Sequence, residues 1–184
     1  RRNGMNIQVL QGQHTIGKCR SFNQNGDTMK NVIIQEYLQQ MKNAIICDLD
    51  GTLAINDHGR DFFDATDCDK DAINVPVCAV VQWAWDNNNQ IIFLSGREDK
   101  YRKPTIKFLD KCGFDEGMYT LLMRGTGDNR KDSIIKLEIY EEIVKPALKR
   151  SEVDILFMLD DRDQVVKMWR EQGLTVFQVA EGDF

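Results

Sequence analysis

At 184 residues, 42% of them hydrophobic and 29% charged, the chain holds enough apolar material for one ordinary domain, with some length left over. Its net charge of −5 excludes long, sequence-independent gripping of a nucleic-acid backbone, which needs a basic face. No apolar run approaches a membrane span, and five cysteines without C-x-x-C spacing give neither a disulfide framework nor a zinc site; a cytoplasmic protein with free thiols is expected.

Residues 1–43 are rich in Asn, Gln and Gly and read as an appendage to a main domain over 44–184. Asn6–Leu10 has the character of a strand. The run Gly12–Cys19 has P-loop spacing, but Cys19 stands where Ser or Thr should hold Mg²⁺, and a thiol is a poor ligand for a hard ion. It reads as a chance match or a degenerate remnant, and no 5′-kinase activity is expected. Thr28–Met41 is a predicted helix whose face of Val32, Ile33, Tyr37 and Leu38 suits packing on the main domain or on a second copy of the chain.

From residue 44 strands and helices alternate. Ile45-Ile46-Cys47-Asp48-Leu49-Asp50-Gly51-Thr52-Leu53 is an apolar run too short for a helix. It ends in two carboxylates one residue apart, which strand alternation places on the same side. Two such acids are costly to hold together unless a cation or a proton lies between them. A polar, Asp-rich segment follows to Asn74, and a helix opens at Pro76, a favoured first-turn position for proline. Gln90–Leu94 is a second strand ending in Ser95-Gly96-Arg97, and a helix over Pro104–Cys112 stops at Gly113. Tyr119–Met123 is a third strand. Asp132 opens a long helix with Ile134, Ile135, Ile139 and Ile143 at core spacing, ending around Pro146. Asp154–Leu159, a strand, terminates in Asp160-Asp161; a helix over Asp163–Gln172 and a last strand at Thr175–Val179 complete the chain. The alternation predicts an α/β fold with a central parallel five-stranded sheet and helices on both faces. Ligands of such sheets bind at the carboxyl ends of the strands, and three of those ends carry Asp48/Asp50, Ser95/Arg97 and Asp160/Asp161.

The D-x-D-G-T-L run resembles the first signature of the haloacid-dehalogenase (HAD) phosphatase superfamily. That resemblance implies a Rossmann-like fold with Asp48 as nucleophile, Asp50 as general acid and base, Ser95 and Lys136 on the transferred phosphoryl group, and Asp48, Asp50, Asp160 and Asp161 around Mg²⁺. Further pieces resemble the phosphatase half of polynucleotide kinase-phosphatases of T-even-type bacteriophages: Gly59-Arg60, Ser95-Gly96-Arg97-Glu98, Gly127-Asp128, Arg130-Lys131-Asp132, Asp160-Asp161-Arg162 and Gln178-Val179-Ala180. This second resemblance implies removal of 3′-phosphates, and of 2′,3′-cyclic phosphates, from DNA or RNA ends. Arg60, Arg97, Arg124 and Arg130 are then expected to grip phosphate, for which guanidinium is well suited, and Asp132 to orient a cation. It also leans toward a homo-oligomer. The insertion over 53–74 is too short for a lid domain, so only a minimal cap is expected, and an open cleft suits a polymer end better than an enclosed metabolite. The alternatives are a HAD phosphatase of nucleotides or other small phosphomonoesters, and a non-catalytic module whose acids hold a structural ion.

Overall fold

The structure, a computed structural model, describes residues 43–61 and 63–183; the readings at Asn6–Leu10, Gly12–Cys19 and Thr28–Met41 lie outside the described residues. Five strands, β1 (Asn43–Cys47), β4 (Asn89–Glu98), β5 (Tyr119–Arg124), β6 (Asp154–Asp160) and β7 (Val176–Gln178), form one parallel sheet in the order β5-β4-β1-β6-β7. Helices α1 (Val75–Asp86) and α2 (Arg102–Lys111) accompany one face, and α3 (Asp132–Ile139), α4 (Lys145–Arg150) and α5 (Asp163–Glu171) the other. Strand β1 is central and apolar on both sides, as a doubly covered strand must be. Its Ile45 and Cys47 pack with Phe93, Phe108 and Val81, while Ala44 and Ile46 pack with Leu94, Val165 and Trp169. No helix among the described residues is long and apolar enough to cross a membrane.

Three local readings of the sequence needed correction. The polar stretch after β1 contains a small antiparallel pair, β2 (Ala54–Ile55) with β3 (Ala72–Ile73), tied to the core by Asn74, whose Nδ2 donates to the Thr52 carbonyl at 2.8 Å. Strands this short leave no periodic signal. Strand β4 runs on through Ser95, Gly96 and Arg97 to Glu98, with an irregularity against β5 between Ser95 and Glu98. Such bulges re-aim side chains beside a cleft. The third concerns the helix that opens at Asp132, which does not end near Pro146. A π turn over Tyr140–Val144 joins α3 to α4, and Pro146 sits in the first turn of α4. The buried stripe runs through Ile135, Tyr140, Val144 and Leu148, the wider turn setting its course beyond Ile139, and Ile134 and Ile143 are about half exposed.

Candidate active site

The carboxyl ends of β1, β4 and β6 meet, and the loop Asp48–Leu53 turns back across them. The amide of Ala54 donates to the Leu49 carbonyl at 2.7 Å and that of Gly51 to the Ala54 carbonyl at 2.9 Å, so the loop is tight and fixed. Gly51 has φ +82°, and a β-carbon there would stand 2.2 Å from Asp161 Oδ2. The backbone of the first acidic loop and the carboxylate of the second thus share space that only glycine leaves open. Gly51→Ala is expected to destabilise the fold by about 1–3 kcal/mol through strain at positive φ alone, and to displace Asp161 as well. Thermal unfolding and metal titration of the purified variant measure both effects.

Asp48 and Asp50 do not share one environment. Regular strand geometry ends at Cys47, so alternation no longer fixes where Asp50 points. Asp48 is buried and its Oδ1 lies 2.8 Å from Lys136 Nζ. The same ammonium reaches Asp160 Oδ2 at 3.0 Å and Asp132 Oδ2 at 3.2 Å. Lys136 is only 1% exposed, and although burial pulls its pKa down, Asp132, Asp160 and Asp48 outweigh that and hold it firmly protonated. Ligand oxygens of Asp48, Asp160 and Asp161 lie within 4.8 Å of one another. Asp161 accepts from Thr52 Oγ1 at 3.0 Å, and Asp160 accepts from the Arg162 amide at 3.1 Å. Burial, only partly offset by Lys136, pushes the Asp48 carboxyl well above its ordinary range; burial likewise raises Asp161. One lysine does not neutralise this many acids, so the pocket carries surplus negative charge behind all-oxygen donors. That set fits a hard divalent cation.

Asp50 belongs to a second cluster. Arg97 grips it with two bonds, Nε to Oδ2 at 2.8 Å and Nη2 to Oδ1 at 2.7 Å, and Arg60 Nη2 donates to the same Oδ1. Burial pushes the Asp50 carboxyl up, but Arg97 and Arg60 outweigh it and hold the group below the usual carboxylate range. Beneath both guanidiniums lies Asp71, fully buried, which accepts from Arg60 Nε at 2.9 Å, Arg60 Nη2 at 2.7 Å and Arg97 Nη2 at 3.1 Å. His58 Nε2 touches the same carboxylate at 3.0 Å. Sequence reasoning missed Asp71, which sits in a run of acids indistinguishable from solvated ones; the only local signal was the apolar Ala72-Ile73 that follows it.

The other expected site residues divide. Ser95 is buried, its Oγ accepting from the Arg97 amide at 3.2 Å, as a turn-forming serine would. Gly96 lets α3 approach, since a β-carbon there would meet Asp132 Oδ1 at 2.2 Å. Asp132 accepts from Arg124 Nη2 at 3.2 Å besides pairing with Lys136. Arg124 also donates to the carbonyls of Asp128 and Arg130, holding the loop between β5 and α3. Arg130 is not brought into the cleft: it pairs at the surface with Asp128 and Glu138, both at 2.6 Å. The segment after β7 clamps the acidic turn, with Val179 N donating to Asp160 O at 3.1 Å and Gln178 Nε2 to Asp161 O at 3.1 Å.

A doubly wound sheet whose β1 and β6 ends bring together three carboxylates able to hold a cation defines a phosphatase domain of the HAD superfamily. The chain belongs to the family of polynucleotide kinase PNKP phosphatase domains, whose profile matches residues 42–184. It is 33% identical over 140 residues to a protein of Autographa californica nuclear polyhedrosis virus named for polynucleotide kinase and RNA ligase activities, a match covering 74% of this chain and 19% of the viral one. Among solved structures it is similar to a chain of the Pnkp1/Rnl/Hen1 complex, with 46% identity, a TM-score of 0.70, and coverage of 79% of this chain and 48% of that one. A second structure, of the Pnkp1/Rnl/Hen1 RNA repair complex, gives 48% identity and a TM-score of 0.69 over 78% of this chain and 44% of that one. The chain therefore spans less than half the length of these relatives.

Proposed function

We propose that this domain removes the 3′-phosphate from polynucleotide ends, RNA ends foremost, with Mg²⁺ as its metal. The observation that carries the reading is the separation of two charge environments within three residues, Asp48 in the cation pocket and Asp50 in the guanidinium clamp. Asp48, Asp160 and Asp161 would hold the metal, which when bound lowers the charge on both Asp48 and a phosphoryl group. An Asp48 oxygen attacks phosphorus, the bond from phosphorus to the ribose 3′-oxygen breaks, and Asp50 delivers its proton to that oxygen. Asp50 then takes a proton from the water that hydrolyses the aspartyl-phosphate, releasing inorganic phosphate.

The clamp explains how one carboxyl serves as acid and then base. At rest two arginines keep Asp50 ionised. An arriving phosphate competes for the same guanidinium donors, since Arg binds phosphate as it binds carboxylate. As Arg60 and Arg97 turn to the phosphate, Asp50 loses the charges that depress its pKa and can carry the proton it must donate. Departure of the product restores the pairs.

RNA ends are favoured because the relatives are named for an RNA ligase and for an RNA repair complex. The test is Mg²⁺-dependent phosphate release from matched 3′-phosphorylated oligoribonucleotides and oligodeoxynucleotides. Release from the oligomers, faster from RNA, is the expected result. Release confined to free nucleotides or aryl phosphates would instead favour a small-molecule phosphatase on the same chemistry.

A further inference from the structure

We propose that the strand attached to the reacting 3′-end leaves the cleft over the outer surface of α2, on a cationic track formed by Lys103 and Lys107. This inference rests on the polynucleotide reading above and adds where the polymer lies. Helix α2 begins immediately beyond the strand that carries Arg97, through a single turn at Asp99–Tyr101, so its first residues stand at the mouth of the site. Its core side is Thr105, Phe108 and Leu109, all fully buried. Lys103 and Lys107 each lie two residues, about 200° of helix, from Thr105, and so occupy the opposite, exposed pole. They are one helical turn apart and face the same way. Neither has an ion-pair partner among the described residues, whereas in the turn before them Lys100 pairs with Glu98 and Arg102 with Asp99. In a chain of net charge −5, two unpaired lysines in register beside an anion site mark the path available to a phosphate backbone.

The head of this track is aromatic. The Phe63 ring is 89% exposed, and the Tyr101 hydroxyl donates to the Phe63 carbonyl at 3.5 Å, bringing the short insertion against the start of α2. Lys100 Nζ lies 4.8 Å from the centre of the Tyr101 ring. An exposed ring followed by cations suits a single strand, whose unpaired bases stack while its phosphates are neutralised. The insertion itself is acidic, with Asp64 and Asp67 exposed and Asp64 beside Tyr101 and Lys100, which disfavours a duplex wide enough to cover it.

The test compares the Lys103→Gln/Lys107→Gln variant with the unmodified chain and with Lys149→Gln/Arg150→Gln, the same charge change on exposed α4 residues. Each is assayed on a 3′-phosphorylated oligomer of about ten nucleotides and on a 3′-nucleoside monophosphate, at several salt concentrations. The α2 variant is expected to lose about tenfold in kcat/KM on the oligomer, mostly in KM, with the mononucleotide unchanged. Its dependence of log kcat/KM on log salt should flatten by about 1.4, two contacts at roughly 0.7 each. Equal losses in both variants, or no loss on the oligomer, would overturn the track. If the unmodified chain hydrolyses only the mononucleotide, the polynucleotide reading itself fails, which is a distinguishable outcome.

Discussion

Asp48→Asn is expected to abolish Mg²⁺-dependent phosphate release, lowering kcat by about 10³-fold or more, while raising the thermal stability of the metal-free protein. The activity follows from the loss of the attacking oxygen. The stability follows from where the carboxylate sits. Burial raises the folded pKa of Asp48 well above its ordinary value, and Asp160 and Asp132 add to the effect against the pull of Lys136. In the unfolded chain the group titrates near the usual carboxylate value, about 3.9. Between those two pKa values the folded state binds the extra proton, so stability is full below the unfolded pKa and is lost as pH rises through the folded one. At neutral pH the apo wild type bears that loss and Asn does not. The variant should melt higher by about 2–4 °C for each kcal/mol relieved, with the gap closing in acid. Mg²⁺ at about 100 times its dissociation constant should add roughly 2.7 kcal/mol to the wild type and much less to the variant. Calorimetry at several pH values with and without Mg²⁺, beside a phosphate-release assay, reads all of these. A variant less stable than the wild type in the absence of metal would show that Asp48 is held by Lys136 more strongly than it is penalised by burial.

The second large effect is expected at Asp71→Asn. This carboxylate has no exposed surface and carries two guanidiniums and an imidazole. Removing its charge leaves Arg60 and Arg97 sharing only Asp50, in a region from which water is largely excluded. Breaking a buried ion pair from one side typically costs about 3–5 kcal/mol. The loss of activity should appear as a changed pH profile as well as a lower rate. With both arginines drawn more fully onto Asp50, its carboxyl is held lower still in the free enzyme, and the limb of kcat/KM that reports it should move to lower pH. Urea unfolding measures the first effect and a series of kcat/KM against pH the second. An unchanged unfolding midpoint would mean that the arginines find other partners and that Asp71 is dispensable to the clamp.

What could be read from the chain and what could not follow a physical line. The strand positions, the parallel sheet and the three strand ends with polar residues, two of them acidic, were legible because buried strands require continuous apolar runs and turns require their own residues. Lys136 was found only through resemblance: on periodicity alone it is one more lysine on an amphipathic helix, and burial of its amine among three carboxylates is a tertiary fact. Asp71 and the β2–β3 pair were invisible for the same reason, as was the separation of Asp48 from Asp50, which follows from the strand ending at Cys47. The sequence by itself determined which residue types reach the carboxyl edge of the sheet and the all-oxygen character of its ligands. Only the tertiary structure decided how those charges pair, because pairing depends on distances between segments far apart in the chain. Lys136 meets Asp160 across 24 residues and Arg97 meets Asp50 across 47, and no local pattern encodes such contacts.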